Sequence, residues 1–327
     1  MTAITYLDAI SQAIREEMRR DEAVFLLGED VGAYGGAFKV SAGLLEEFGP
    51  ERVIDTPMSE TAIIGSAVGA ALMGMRPIAE MQYIDFITCG FDQIINMASK
   101  MYWRSGMPVP MVIRGPSGGG TKGGPFHSAS PEAWFFHTPG IKVVVPSTTY
   151  DAKGLLKAAI RDNNPVLFLE HKLLYRQPEL RAELPEDDYT VPLGKAVVRR
   201  EGEDMTMLTY GAMVYQCMKA ATVLEKEDDL EVEVVDLRSL TPLDRETIME
   251  SVKHTNKVLI VHEDALTGGI GAELAAILAE ELFEYLDGPI TRVAAPDAPF
   301  PYAPALEAAF LPNAEKILNA ARKLAAY

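Results

Sequence analysis

The sequence predicts an α/β protein of two domains, each a mostly parallel sheet flanked by helices. Its 327 residues exceed the usual size of a single hydrophobic core. Short apolar segments alternate with amphipathic ones almost from end to end, a pattern typical of parallel sheets covered on both faces. A polar, proline-containing stretch over 176–192 interrupts the alternation. It predicts a linker between domains over 1–175 and 193–327.

The first domain is predicted to alternate helices and strands in chain order. An amphipathic helix over 5–20 precedes a buried strand, Val24–Gly28, and a helix of small residues over 60–74 precedes a strand at Pro77–Met81. The later predicted elements are a helix over 85–104, strands at Val109–Arg114, Ile141–Val145 and Val166–Glu170, and a helix over 149–162.

The same alternation resumes after the predicted linker. Its predicted strands are Met205–Tyr210, Glu231–Leu237, Val258–His262 and a short segment near Ile290–Val293. Its predicted helices cover 212–226, 244–254 and 270–283, with a terminal helix from Asn313. The two halves show no sequence repeat, so we expect two separate α/β domains.

Composition limits the classes of function. A net charge of −17 opposes nucleic-acid phosphates, so we expect no nucleic-acid partner. Only Cys89 and Cys217 are present, which gives no disulfide framework or zinc-type spacing and favours the reducing cytoplasm. The N-terminus lacks the order of a signal peptide. The apolar run over 62–75 is shorter than the ~20 residues that span a bilayer, so we expect no membrane contact.

One carboxylate, Glu60, begins the predicted helix over 60–74, whose later residues are apolar or small. The helix dipole favours an acidic residue in the first turn, which by itself explains a surface glutamate. It does not explain the absence of a polar face. Gly65 and Gly69, four residues apart, allow another backbone to approach closely. We therefore expect Glu60 in a dry interface between packed helices, where a charge requires a partner.

A glycine-rich loop over Gly115–Pro125 contains two patterns that resemble catalytic or binding motifs. Its G-x-G-x-x-G pattern is not followed by the helix that would hold a pyrophosphate. Its G-x-S-x-G pattern leaves Ser117 as an alternative hydrolase nucleophile, although the following glycines disfavour the helix of a nucleophile elbow. The loop leads to His127, which is either a loop histidine without chemistry or a proton donor beside a reacting carbonyl.

Several segments resemble the beta subunit of thiamine-diphosphate-dependent 2-oxo acid dehydrogenases, the family of the pyruvate, branched-chain and acetoin enzymes. The resemblance extends from residue 5 to the C-terminus. The matching segments are Leu27–Val31, Asp55–Glu60, Arg76–Glu80, Phe91–Ile95, His127–Ala133, Pro139–Pro146, Tyr150–Leu156, Val235–Leu240 and Leu311–Pro312.

The resemblance implies a pyrimidine-binding domain followed by a transketolase C-terminal-like domain. It implies pairing with an alpha chain in a two-alpha two-beta heterotetramer, with thiamine diphosphate shared between the two kinds of chain. In this family the alpha chain holds magnesium and the diphosphate through a G-D-G motif, which does not occur in this sequence. We therefore expect half of an active site.

The resemblance also implies roles for individual residues. Glu60 would relay a proton at the aminopyrimidine ring, and His127 would project toward the substrate as a second catalytic residue. The residues expected to line the pyrimidine side, besides Glu60, are Glu29, Met58, Gln82 and Phe86. A structural potassium ion would be bound, mostly through backbone carbonyls, by Met111, Ala159, Ile160, Asp162 and Asn164.

The function implied is decarboxylation of a small 2-oxo acid, pyruvate or branched-chain, followed by reductive acylation of lipoamide. The lipoyl domain and the dihydrolipoyl acyltransferase core would be the partners. One alternative is the beta subunit of acetoin dehydrogenase. Another, of a different class, is a scaffold whose C-terminal domain docks the acyltransferase core through an acidic surface.

Overall fold

The computed structural model describes residues 3–327, which form two compact units. The first unit runs to Ser117 and resumes over Trp134–Leu193, and the second comprises Gly118–Ala133 and Gly194–Tyr327. The division predicted from sequence places residues 118–133 in the first domain, whereas this segment packs with the second unit. A glycine-rich segment has no hydrophobic periodicity, so its sequence carries no signal of the core that it joins.

The first unit contains a sheet of parallel strands. Its strands in chain order are β1 (Val24–Gly28), β2 (Val53–Asp55), β3 (Arg76–Glu80), β4 (Val112–Ser117), β5 (Lys142–Val144) and β6 (Val166–His171). They lie in the spatial order β5-β6-β4-β3-β1-β2, and every pair of neighbours is parallel. All residues of β1, β4 and β6 are buried, as expected for strands covered on both faces.

Helices of the chain up to the interdomain stretch are α1 (Tyr6–Arg20), α2 (Leu44–Phe48), α3 (Glu60–Leu72), α4 (Ser99–Ser105), α5 (Glu132–Phe136) and α6 (Thr149–Arg161). The first turn of α1 is fixed by a capping box, in which Thr5 and Asp8 each accept a backbone N–H. Its buried face, which includes Ile10 and Ile14, has the spacing that the sequence predicted.

The segment predicted as one helix over 85–104 is divided into three helical types. A 3₁₀ helix, Ile84–Gly90, is followed by a π-helix, Gln93–Ala98, before α4 begins. Gly90 lies so close to α3 that a Cβ there would be 2.8 Å from Cγ1 of Ile64. The close approach requires irregular backbone, which hydrophobic periodicity does not report.

The second unit contains a sheet with one antiparallel edge strand. Its strands are β7 (Val197–Arg200), β8 (Met205–Thr209), β9 (Val232–Asp236), β10 (Ser239–Thr241), β11 (Val258–Ala265) and β12 (Thr291–Ala295). Five of them form a sheet in the order β12-β11-β8-β9-β7, in which only β7 is antiparallel to its neighbour. The helices are α7 (Met213–Asp228), α8 (Arg245–Thr255), α9 (Ile270–Leu282), α10 (Pro304–Phe310) and α11 (Ala314–Ala325).

Across residues 3–327, none of the helices combines the length and the apolar character needed to cross a bilayer.

Candidate active site

The predicted pyrimidine-side residues of the first unit follow strands that end at one edge of its sheet. Gly28, the last residue of β1, pairs in register with Asp55 at the end of β2 and with Glu80 at the end of β3. Glu29 follows the end of β1, and Met58 and Glu60 follow the end of β2. Gln82 and Phe86 follow the end of β3. Ligands of open α/β sheets bind at the carboxyl ends of the strands. The register therefore brings all five positions to a suitable edge.

Two of these carboxylates interact electrostatically. Glu29 is only 6% exposed, and Glu60 is half-buried at the first position of α3. Burial, followed by the negative charges of Glu60 and Asp30, raises the pKa of Glu29 above its usual value. Glu29 therefore favours its protonated form more than an isolated glutamate does.

The loop after β1 is held by hydrogen bonds that sequence reasoning did not identify. Asp30 has a left-handed backbone (φ 57°), its carbonyl accepts the N–H of Gly36 at 2.7 Å, and its carboxylate accepts Nε2 of Gln82 at 3.0 Å. The carboxylate of Asp55 accepts the N–H of Gly32 at 2.6 Å. These contacts fix the backbone that carries Glu29. The sequence feature that could have identified these contacts is an acidic residue at or just after a strand end, namely Asp30 after β1 and Asp55 in β2.

A fully buried ionic cluster lies in the same sheet. Arg114 on β4 donates to Glu80, and its Nε and Nη2 donate to Glu170 at 2.5 Å. The hydroxyl of Tyr175 donates to Glu170 at 2.7 Å. Glu80 also packs against the loop after β1, because a Cβ at Gly36 would be 3.2 Å from its Oε1. The cluster thus connects the centre of the sheet to the loop that carries Glu29.

Within this chain, only one of the two glycines of α3 that were expected to allow close packing has a close neighbour. Gly65 packs within this chain, since a Cβ there would lie 3.3 Å from Oε1 of Gln93, whereas Gly69 has no atom within 4 Å of that position. Large exposed apolar side chains are concentrated between a position two residues before α3 and a position two residues after α4. They are Met58 (85% exposed), Met73, Met75, Phe91, Met97, Tyr102, Trp103 (94% exposed) and Met107. Exposure of this kind indicates a binding surface.

His127 lies in the second unit, directly after a 3₁₀ turn over Gly124–Phe126, and is half-buried. The preceding glycine-rich loop is well ordered by hydrogen bonds and close contacts. A Cβ at Gly123 would be 2.6 Å from the carbonyl oxygen of His127, so only glycine fits that position without a shift. The glycine-rich loop is therefore tightly turned.

Ser117 is not placed as a hydrolase nucleophile. It is the buried last residue of β4, and a short 3₁₀ turn over Gly124–Phe126, not an α-helix, is the next helical element. A nucleophile elbow needs a helix directly after the serine. The geometry therefore gives the hydrolase alternative no support.

The positions expected to bind potassium lie near the carboxyl end of α6. Carbonyl oxygens of Ile160 and Asp162 accept Nη1 of Arg76 at 3.0 and 2.9 Å, so both point toward one cationic group. The carbonyls of Met111 and Ala159 accept N–H groups of Val166 and Asp162 respectively. Asn164 donates its N–H to the carboxylate of Asp162 at 2.8 Å. Among residues 3–327, no cluster of histidine, cysteine or acidic side chains has the arrangement of a metal site.

A second pair of acids, one buried and one half-buried, lies in the second unit. Glu132 accepts the hydroxyl of Tyr210 at 2.9 Å and is 3% exposed. Burial, followed by the charge of Asp264, raises the pKa of Glu132 to about 8. Burial also raises the pKa of Asp264, to about 6. Sequence reasoning missed this set, because its members are distant along the chain.

The raised pKa of Glu132 predicts a pH dependence of stability. The folded-state pKa of about 8 exceeds the ordinary value of 4.5, so the native chain holds an extra proton between these values. Its stabilising effect is complete below 4.5 and is lost as the pH rises toward 8, by up to about 1.4 kcal/mol per pH unit. Urea unfolding of Glu132→Gln should show a flatter profile from pH 5.5 to 8 than the unchanged chain. Equal slopes in the two proteins would contradict the prediction.

Comparison with protein families covers nearly the whole chain. Residues 2–178 match the transketolase pyrimidine-binding domain, and residues 194–317 match the transketolase C-terminal domain. A solved structure described as a split-gene transketolase, an inactive beta4 tetramer, covers 99% of both chains with a TM-score of 0.81 and 24% identity. At that identity the likeness shows the fold alone.

Three curated relatives are similar over almost their full length. The 2-oxoisovalerate dehydrogenase subunit beta of Bacillus subtilis (strain 168) is 53% identical, with 100% of both chains covered. The pyruvate dehydrogenase E1 component subunit beta of the same organism is 47% identical, with 99% of each covered. The mitochondrial subunit beta-2 of the rice pyruvate dehydrogenase E1 component is 46% identical, covering 98% of this chain and 86% of that one.

Proposed function

Because this chain belongs to the family of beta subunits of thiamine-diphosphate-dependent 2-oxo acid dehydrogenases, we propose that it supplies one half of an active site that an alpha subunit completes. It functions as the beta subunit of the decarboxylating component of a pyruvate or branched-chain 2-oxo acid dehydrogenase. The relatives named above favour these substrates over acetoin. The observation that carries the proposal is the interacting pair of Glu29 and Glu60 at the carboxyl edge of the first sheet.

The residues at this edge fit an aminopyrimidine ring. A ring of this kind needs a carboxylate at a ring nitrogen and apolar contacts on its faces. Glu60 provides the carboxylate, while Met58 and Phe86 are apolar side chains that this chain leaves partly or largely exposed. Gln82 is held by Asp30 at 3.0 Å and offers a fixed polar neighbour.

When bound, thiamine diphosphate would supply a carbon nucleophile for the keto group and a cationic ring that takes up the electron pair released when carbon dioxide leaves. Glu60 would hold and move a proton at its carboxylate, next to the ring. Glu29 would hold its proton more tightly than an exposed glutamate, because burial and two negative charges raise its pKa. An alpha subunit that covers this edge would exclude water from around Glu60.

The exposed apolar side chains between Met58 and Met107 support pairing with an alpha subunit, in a two-alpha two-beta heterotetramer. Side chains such as Trp103, which is 94% exposed, are stabilised when a partner covers them. The alpha chain would hold magnesium and the diphosphate. The free cysteines Cys89 and Cys217 fit a cytoplasmic location, where thiols stay reduced.

His127 would act on the substrate side, stabilising or protonating intermediates and assisting acyl transfer to lipoamide. Imidazole suits this role, because its charge changes near neutral pH. The glycine-rich loop before it would form part of the active-site mouth, where the lipoyl domain arrives. The C-terminal unit would in addition dock the dihydrolipoyl acyltransferase core through acidic surface. That charge-driven contact should weaken as salt rises, and binding that persists at high salt would exclude it.

We also propose that this chain has the potassium site that the family resemblance implies. Two convergent carbonyls, of Ile160 and Asp162, support it, since each oxygen has a second lone pair after accepting from Arg76. Potassium chloride should raise the thermal midpoint above that in sodium chloride at equal ionic strength. At a potassium concentration about ten times the dissociation constant, the gain is about 1.4 kcal/mol. Equal thermal midpoints in the two salts, measured by calorimetry, would contradict the proposed potassium site.

Reconstitution tests the main proposal. The chain is combined with an alpha subunit that carries the G-D-G motif, thiamine diphosphate, magnesium, and a lipoyl domain. Decarboxylation and lipoyl acylation are then measured with pyruvate, 3-methyl-2-oxobutanoate and acetoin. We expect turnover of at least one of the two 2-oxo acids and none by either chain alone. Turnover of acetoin only, or activity of the isolated chain, would contradict the proposal.

A further inference from the structure

The segment over Gly118–His127, which we call the glycine loop, is anchored by carboxylates at several of its backbone N–H groups. Five of its ten residues are glycine, so the sequence provides little conformational restraint of its own. Its first N–H, of Gly118, donates to the carbonyl of Ala129 at 2.9 Å and closes the loop. What holds the loop between these ends is a pair of buried acidic side chains from distant parts of the second unit.

Glu307 on α10 is the first of these side chains and is 4% exposed. Its Oε1 accepts the N–H groups of Gly120 at 3.0 Å and Lys122 at 3.1 Å, and its Oε2 lies 3.2 Å from the second of these nitrogens. Lys122 has a left-handed backbone (φ 63°), which is strained for a residue with a side chain. The carboxylate stabilises this conformation, because N–H bonds to an ionised acceptor are stronger than neutral ones.

Glu263 on β11 is the second anchor and is 5% exposed. Its Oε1 accepts the N–H of Gly119 at 2.5 Å and the hydroxyl of Ser130 at 3.3 Å. Ser130 lies three residues after His127, so Glu263 holds the chain on both sides of the histidine. The two anchors together fix the start and middle of the loop and the segment that follows it.

Aromatic side chains complete the seat of the loop. A Cβ at Gly119 would lie 2.4 Å from the ring of Phe300, and one at Gly124 would lie 2.2 Å from the ring of Tyr302. Glycine at these positions therefore permits the loop backbone to lie directly on the rings. The position of the glycine loop therefore depends on the shape of the surface beneath it as well as on charge.

We propose that Glu307, together with Glu263, is a positioning residue that sets the location of His127 by holding the N–H groups of the glycine loop. This inference rests on the proposed role of His127 at the substrate. Neither carboxylate needs to touch substrate or cofactor. Removing one anchor should release the loop while leaving the core of the second unit folded, since the anchored atoms belong to the loop backbone.

The first test measures the order of the loop without any assay of activity. Lys122 is exposed and is followed by glycine, so trypsin can cleave after it once the loop opens. In the full chain, Glu307→Ala should accelerate cleavage after Lys122 by roughly tenfold, the factor expected from losing hydrogen bonds to a charged acceptor. Glu307→Gln retains one acceptor oxygen and should fall in between.

Glu233→Gln is the matched control. Glu233 is also a buried carboxylate of this unit, 4% exposed, but it accepts the hydroxyl of Thr206, away from the loop. The Glu233→Gln substitution should leave the rate of cleavage after Lys122 unchanged. An unchanged rate in Glu307→Ala, or equal acceleration in the control, would overturn the anchoring role.

The second test asks whether the anchors act through His127. Diethylpyrocarbonate should modify His127 faster in Glu307→Ala than in the unchanged chain, as read by peptide mass spectrometry. In the reconstituted complex, the loss of kcat in Glu307→Ala should vanish once His127→Gln is also present, because both changes disturb one group. An unchanged rate of His127 modification, or kcat losses that multiply when Glu307→Ala and His127→Gln are combined, would overturn the positioning role. Full activity of His127→Gln would instead refute the proposed role of His127, and the modification rate alone would then decide whether Glu307 positions it.

Discussion

Glu60→Gln should abolish most turnover of the reconstituted complex while the subunits still assemble. Glutamine keeps the size and polarity of the side chain but cannot gain or lose a proton near neutral pH. Loss of a positioned acid–base group lowers rates by about 10²–10⁴-fold. Decarboxylation is measured at saturating thiamine diphosphate with a 2-oxo acid substrate, and assembly is measured by gel filtration with light scattering.

A second readout links the same substitution to the geometry of this chain. The charge of Glu60 contributes to the raised pKa of Glu29, so removing it should lower the pKa of Glu29. Carbon-13 NMR of labelled glutamate carboxyls follows that titration in the isolated chain. Glu46→Gln is the control, because Glu46 is an exposed carboxylate in the first turn of another helix, α2. Full turnover by Glu60→Gln would refute the role assigned to Glu60.

Arg114→Met should cause the largest loss of stability among these substitutions. The change leaves the buried carboxylates of Glu80 and Glu170 without their cation, whereas methionine fills a similar apolar volume. Breaking a buried ion pair from one side costs about 3–5 kcal/mol, because an uncompensated charge remains. The expected result is a marked fall in the thermal midpoint, measured by calorimetry.

Two further variants separate the loss of charge balance from the loss of packing. Adding Glu80→Gln and Glu170→Gln to Arg114→Met removes both uncompensated charges and should recover part of the midpoint. Arg322→Met removes a partly exposed surface arginine that pairs with Glu227 and Asp228 and should change the midpoint little. A midpoint for Arg114→Met as high as that of Arg322→Met would show that the buried cluster does not support the sheet.

Much of the regular structure follows from local pattern. The predicted strand Val24–Gly28 is β1, and the predicted strand Val166–Glu170 is β6 without its last residue. The predicted helix over 149–162 extends one residue beyond the end of α6. Each of these elements buries an apolar run or stripe, which the sequence displays directly. The short strands β2 and β7 escaped prediction, since three or four residues are too few to show a period.

The sequence proposes the candidate site as a set of residues but not as an arrangement. Glu29 and Glu60 stand out because they follow a strand or begin a helix, whereas Gln82 and the expected roles come from the family resemblance. The electrostatic pairing of Glu29 with Glu60 depends instead on the register of β1 against β2 and β3. Register between strands that are tens of residues apart leaves no mark in either segment alone.

The sequence by itself determined the α/β class, most element positions and the family, because these depend on local periodicity and on short matching segments. Only the tertiary structure decided that Arg114 lies between two buried carboxylates, and that Glu307 holds a loop almost 190 residues before it. Each of these contacts joins residues that a local pattern treats as unrelated. Their partners are fixed by how the whole sheet and its helices pack, which is a property of the complete chain.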